Sequence, residues 1–102
     1  MEINKIVTKH TYQDIPEAES FGWIVLPSGL QKELKFASFK EALDFMIFCS
    51  KHVDELNHHP EWKNIFDKVI ISLITHELDQ ITDKDLSLAF YFDSTFESMY
   101  KK

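Results

Sequence analysis

The sequence predicts an α+β fold: a two-layer sandwich with helices on one face of an antiparallel sheet. Two stretches rich in β-branched and aromatic residues, one beginning at Phe21 and one near Lys63, each read as a pair of strands. Each is followed by a longer stretch whose apolar residues recur at helical spacing. The chain has 102 residues, 44% of them hydrophobic and nine of them Phe, which suits one packed core and leaves no room for a second.

From Met1 to Ser20 the periodicity is too short to assign, although Ile15-Pro16-Glu17-Ala18 fits the opening of a short helix with Pro at its first position. Phe21 to Val25 then reads as a strand and Pro27-Ser28-Gly29 as a turn. Leu30 to Phe36 returns as a second strand, with Leu30, Lys32, Leu34 and Phe36 on one parity. Ser38 followed three residues later by Glu41 is a capping-box pattern. Phe39, Ala42, Met46, Cys49, Val53 and Leu56 follow it at three-and-four spacing, predicting a helix from about Phe39 to Leu56 that buries that stripe.

Lys63 to Phe66 and Val69 to His76 read as the second strand pair. Alternation puts Val69, Ile71, Leu73 and Thr75 on one face, and Ile70, Ser72, Ile74 and His76 on the other, with His76 at the strand end. Thr82-Asp83-Lys84-Asp85 repeats the capping logic and opens a last helix from about Asp83 to Met99. Leu86, Leu88, Ala89, Phe90, Phe92, Phe96, Met99 and Tyr100 cover roughly 200° of that helix, about twice a core-facing stripe, which predicts an interface with another subunit. No internal repeat or linker divides residues 1–102, so a single domain is expected.

Eleven basic against seventeen acidic residues give a net charge of −6, which opposes binding to nucleic-acid backbones. Cys49 is the single cysteine, so an internal disulfide and a multi-cysteine zinc site are excluded. Two glycines leave no phosphate-cradling loop. Met1 to Tyr12 lacks the apolar run of a signal peptide, and no stretch approaches the ~20 apolar residues of a membrane span. A soluble cytoplasmic protein is expected.

The chemistry gathers around Asn57-His58-His59-Pro60-Glu61-Trp62. Asp54 lies one turn upstream, His76 at the expected strand end, and Asp85 at the opening of the last helix. Three imidazoles and two carboxylates propose acid/base catalysis, because the unperturbed histidine pKa of ~6.5 keeps both protonation states accessible. Each also has a plainer reading: Asp85 as a cap residue, His76 as a satisfied strand-end histidine. Zinc is the rival for three histidines, but adjacent imidazoles diverge and the spacing is not His-x-x-x-His, so no metal site is expected. His10 and His52 read as surface residues, and Cys49 as a core residue rather than a nucleophile.

Asp54-x3-His58-His59-Pro60-x5-Phe66-x9-His76-x8-Asp85 resembles the signature of the pterin-4a-carbinolamine dehydratases. Thr75-His76-Glu77, Asp85-Leu86 and Phe36-Ala37-Ser38-Phe39 are similar to the family's wording around it, and the likeness runs from roughly Phe21 to Ser98. Asp54 stands where Glu is common, Phe66 where Tyr is common, and Gln80-Ile81-Thr82 where many members have Gly-Leu-Thr. The shorter Asp54 loosens its contact with an imidazole; none of these changes removes a histidine.

The resemblance implies an α-β-β-α-β-β-α chain and a homodimer or homotetramer. It also implies dehydration of 4a-hydroxytetrahydrobiopterin to quinonoid dihydrobiopterin without metal or redox cofactor. It assigns His58, His59 and His76 to acid/base work, Asp54 and Asp85 to orienting or tuning them, and Pro60, Trp62, Thr75 and Glu77 to the pterin. The alternative it carries is a binding module, since mammalian members also act as dimerisation cofactors of a homeodomain transcription factor.

Overall fold

The computed structural model describes residues 15–100. Residues 15–20 are helical (α1). They are followed by β1 (Ile24–Leu26), β2 (Gly29–Lys35), α2 (Phe39–Leu56), β3 (Glu61–Ile65), β4 (Lys68–Leu73) and α3 (Asp83–Met99). The expected α-β-β-α-β-β-α order is therefore present, with four antiparallel strands in the spatial order β1-β2-β4-β3. The expectations for Met1 to Tyr12 and for His10 lie outside the described residues.

The caps set the helices. Ser38 is extended, and its side chain accepts the Glu41 N–H at 3.1 Å, starting α2 at Phe39. Thr82 and Asp85 complete a reciprocal capping box and start α3 at Asp83. The strands follow pairing. Gly29 opens β2 with a φ of +122°, and a Cβ there would sit 2.1 Å from the Leu73 carbonyl oxygen, so only glycine lets β2 approach β4. Leu30 pairs with Leu73 and Glu61 with Ser72, so β4 runs out of partners at Leu73.

Alternation places Val69, Ile71 and Leu73 of β4, with Leu30 and Leu34 of β2, in the core. Lys32 shares their parity because its Nζ meets Asp93 Oδ1 of α3 at 2.6 Å and the Phe21 carbonyl at 2.6 Å. The Trp23 indole N–H donates to the other Asp93 oxygen at 2.9 Å, so a buried carboxylate ties the first hairpin to α3. The opposite sheet face carries Gln31, Glu33, Lys63 and Ser72 among Ile65 and Ile70 and is only partly covered.

Three expectations are corrected. The buried stripe of α2 is Ala42, Phe45, Cys49 and Val53, while Phe39 and Leu56 are exposed at the helix ends. Phe45 belongs to the stripe because it packs against Phe36, Phe92, Phe96 and Tyr100. The apolar surplus of α3 is used inside the chain: Phe92 is buried, and Phe96 and Tyr100 pack on Phe36, so of the predicted arc only Met99 is a large exposed hydrophobe. Lastly, His76 lies beyond the end of β4, in a turn over residues 76–79.

Candidate active site

The site begins with a left-handed residue. Asn57 closes α2 at φ 54°, ψ 41°, a conformation that asparagine tolerates better than most residues, and its N–H bonds to the Asp54 and Val53 carbonyls. The chain reverses there. His58 is carried inward toward the start of α3, while His59 stays outside against the last turn of α2.

His58 Nε2 lies 2.6 Å from Asp85 Oδ1, with side chains 10% and 0% exposed respectively. The other Asp85 oxygen, Oδ2, accepts the Thr82 N–H at 2.9 Å and the Thr75 hydroxyl at 2.8 Å. An ionised carboxylate can only accept, so Nε2 of His58 directs a proton at Asp85, and in the neutral imidazole Nδ1 then holds the lone pair. The first half of the constellation is thus an imidazole anchored through Nε2 and oriented by a buried acid.

The other two imidazoles are held loosely. His59 Nε2 is 3.0 Å from Asp54 Oδ1, with side chains 57% and 78% exposed. His76 Nε2 is 3.8 Å from Glu61 Oε2 on an exposed pair, beyond hydrogen-bond reach. Asn57, His58, His59, Ile74, His76 and Glu77 nevertheless line one cavity of about 230 Å³, so the adjacent pair His58-His59 and the distant His76 share a single depression. An imidazole with a free lone pair beside two solvated imidazoles is a set that can take one proton and give another.

The remaining site residues divide. Glu77 lines the histidine cavity. Trp62 borders a neighbouring depression with Gln31, Glu61 and Ser72, but it pairs with Ile71, so its side chain turns to the helix-facing side of the sheet, where its ring packs on Phe92 at 5.7 Å. Pro60 is half-buried between His59 and β3. Thr75 is buried with its hydroxyl committed to Asp85, so it offers that proton to the protein rather than to a ligand. Phe66 sits at the β3–β4 turn with φ 52°, exposed and outside the cavity lining, its carbonyl held by the Asn64 amide at 2.9 Å.

Sequence reasoning gave Glu61 no partner and Thr82 no role past its cap. The signal for Thr82 was the capping box itself, since a cap residue at N3 cannot reach His58 without bringing its partners along. Cys49 is fully buried, and burial pushes its thiol up to about 12, partly offset by hydrogen bonds to Tyr91 and Thr95, which fits a core residue. His52 stacks on Tyr91 at 3.9 Å, outside the cavity lining. Among the described residues no three His, Cys, Asp or Glu side chains are arranged to hold a metal ion, and no helix is long and apolar enough to cross a membrane.

Comparison with known proteins agrees with the motif. Residues 5–95 match the family model described as pterin 4 alpha carbinolamine dehydratase. A protein of Burkholderia lata is 41% identical over 73 residues, covering 70% of this chain and 72% of its own length. One of Prochlorococcus marinus is 43% identical over 76 residues, covering 74% and 79%. The names of both give pterin-4-alpha-carbinolamine dehydratase as a provisional assignment. The crystal structure of a transcriptional coactivator/pterin dehydratase of Brucella melitensis superposes with a TM-score of 0.73 at 28% identity, over 80% of this chain and 92% of that one.

Proposed function

The chain belongs to the pterin 4 alpha carbinolamine dehydratase family, and we propose that it acts as a single domain that dehydrates 4a-hydroxytetrahydrobiopterin to quinonoid dihydrobiopterin. The observation that carries this reading is the oriented His58–Asp85 pair in a cavity shared with His59 and His76. In the reaction the C4a–O bond breaks with its electron pair leaving on oxygen, an acid protonates that oxygen to release water, and a base takes a ring N–H proton as the C=N bond forms. His58 is the base, because Asp85 fills Nε2 and leaves Nδ1 as the accepting nitrogen. His59 and His76, exposed and loosely paired, supply and exchange the acid's proton with solvent. Glu77 borders the pterin, and Pro60 and Trp62 wall it. Neither metal nor redox cofactor enters the balance.

The activity would serve tetrahydrobiopterin recycling in the cytoplasm. Self-association into a dimer or tetramer belongs to the same proposal, and the surface that supports it is α2, where Ile47 and Phe48 are exposed, rather than α3. That exposed pair, with the dual role named for the Brucella protein, also favours a second reading as a binding module for a partner protein. A stopped-flow assay with synthetic carbinolamine separates the two. Acceleration by the purified chain alone supports the enzyme; a rate equal to buffer leaves the binding module.

A further inference from the structure

The capping box of α3 explains only part of the hydrogen bonding around Asp85. Capping needs Thr82 Oγ1 to accept the Lys84 N–H and Asp85 Oδ2 to accept the Thr82 N–H. It does not need Thr75. Yet Thr75 Oγ1 donates to the same Asp85 Oδ2 at 2.8 Å and lies 2.6 Å from Thr82 Oγ1, with all three residues buried. A hydroxyl has one proton. Since the Thr75 proton goes to Asp85, the proton between the two threonines must come from Thr82. The bonds therefore run in one direction, from Thr82 to Thr75 to Asp85 Oδ2, while Oδ1 is left to face His58 Nε2.

We propose that Thr75 is a positioning residue for the dehydration, fixing the roll of the Asp85 carboxylate so that His58 is held as the Nε2–H tautomer. The inference rests on the dehydratase reading for its rate consequence and on the geometry alone for its tautomer. Two donors on Oδ2 stop the carboxylate from exchanging its oxygens. In a site sheltered from water such a chain holds its direction, because no solvent competes for the groups. Thr75 is itself pinned from behind: its carbonyl accepts the N–H groups of Leu78 at 3.1 Å and Asp79 at 2.8 Å, closing the turn that carries His76. One residue thus links the orientation of His58 to the placement of His76.

The test is Thr75→Val, nearly isosteric but without the donor, with Thr75→Ser as the conservative variant. Ring ¹⁵N shifts of His58 read the tautomer on the protein alone. Wild type should show protonated Nε2 and bare Nδ1; Thr75→Val should show a mixture, and Thr75→Ser a return to the single form. With the carbinolamine, Thr75→Val should lower kcat about tenfold with KM nearly unchanged, at the low end of the ~10–100-fold typical when a hydrogen bond behind a functional imidazole is lost. Thr75→Ser should recover most of that rate. Retention of the single tautomer in Thr75→Val overturns the proposal, as does equal impairment of the Val and Ser variants, which would assign Thr75 to packing. Should Thr75→Val not fold, Thr75→Ala is read in the same way. If the wild type shows no dehydration, the dehydratase reading falls and the tautomer still decides the positioning role.

Discussion

His58 and His59 are neighbours in the chain, each paired with an aspartate, and they are opposite in every physical respect. The His58–Asp85 pair is buried at 2.6 Å, and the acid is held by two further donors. The His59–Asp54 pair is 3.0 Å apart with most of both side chains in water. In low dielectric the first fixes geometry and is costly to break; the second is screened, contributes little to stability and leaves its imidazole free to exchange protons. The difference teaches that one fold can supply a fixed base and an exchangeable acid from adjacent residues, provided one left-handed residue, Asn57, sends them to opposite sides of a helix end.

The comparison breaks most visibly at Asp85. Asp85→Ala removes the acceptor of the Thr82 N–H, the Thr75 hydroxyl and the His58 N–H, and only the hydroxyl has another within reach, Thr82 Oγ1 at 2.6 Å. The substitution should destabilise the protein by about 2–4 kcal/mol and slow dehydration by ~10²-fold or more. A denaturant titration and an initial-rate assay measure the two; a loss no larger than that of Asp54→Asn would erase the distinction between the pairs.

His59→Ala sharpens it from the other side. The ring is exposed and outside the core, so stability should move by less than ~0.5 kcal/mol while the rate falls on the order of 10²-fold. A thermal midpoint that drops together with the rate would contradict a purely chemical role. Asp54→Asn should change the rate less than about fivefold, and raising ionic strength should imitate it in the wild type, as expected of a screened pair.

Cys49 gives the smallest effect and a control on the rest. Its thiol, pushed up to about 12 in the fold from an ordinary 9.0, should resist alkylation at neutral pH until the chain opens. Because the folded value is raised, its contribution to stability is present below the ordinary value and is lost as pH climbs toward the folded one. Asp85→Ala should therefore speed alkylation, whereas Asp54→Asn should leave it at the wild-type rate.

Much of this was legible in the chain because it is local. Ser38 and Thr82 are caps whose partners lie within three residues, so α2 and α3 begin where the sequence says they do. The parity of β4 was legible because Val69, Ile71 and Leu73 share one face and the polar Lys68 and Ser72 fall on the other, with Ile70. What depended on distant partners was not. The end of β4 is set by where β2 begins, so His76 looked like a strand residue and is a turn residue. The arc of α3 looked like surplus because Phe36 and Phe45, far away in sequence, cover it. The three histidines also looked equivalent, each assigned to acid/base work with no distinction in burial. His58 departs from that, since it is buried on an acid, and no rule of spacing distinguishes it from His59 without the Asn57 turn.

The central claim, that the buried imidazole is the base of a pterin dehydration, is tested most directly by the single-turnover rate of His58→Ala with synthetic carbinolamine, measured where circular dichroism shows the variant folded. A loss of ~10²-fold or more relative to wild type is the predicted result. A folded His58→Ala protein that dehydrates the carbinolamine at the wild-type rate would contradict it.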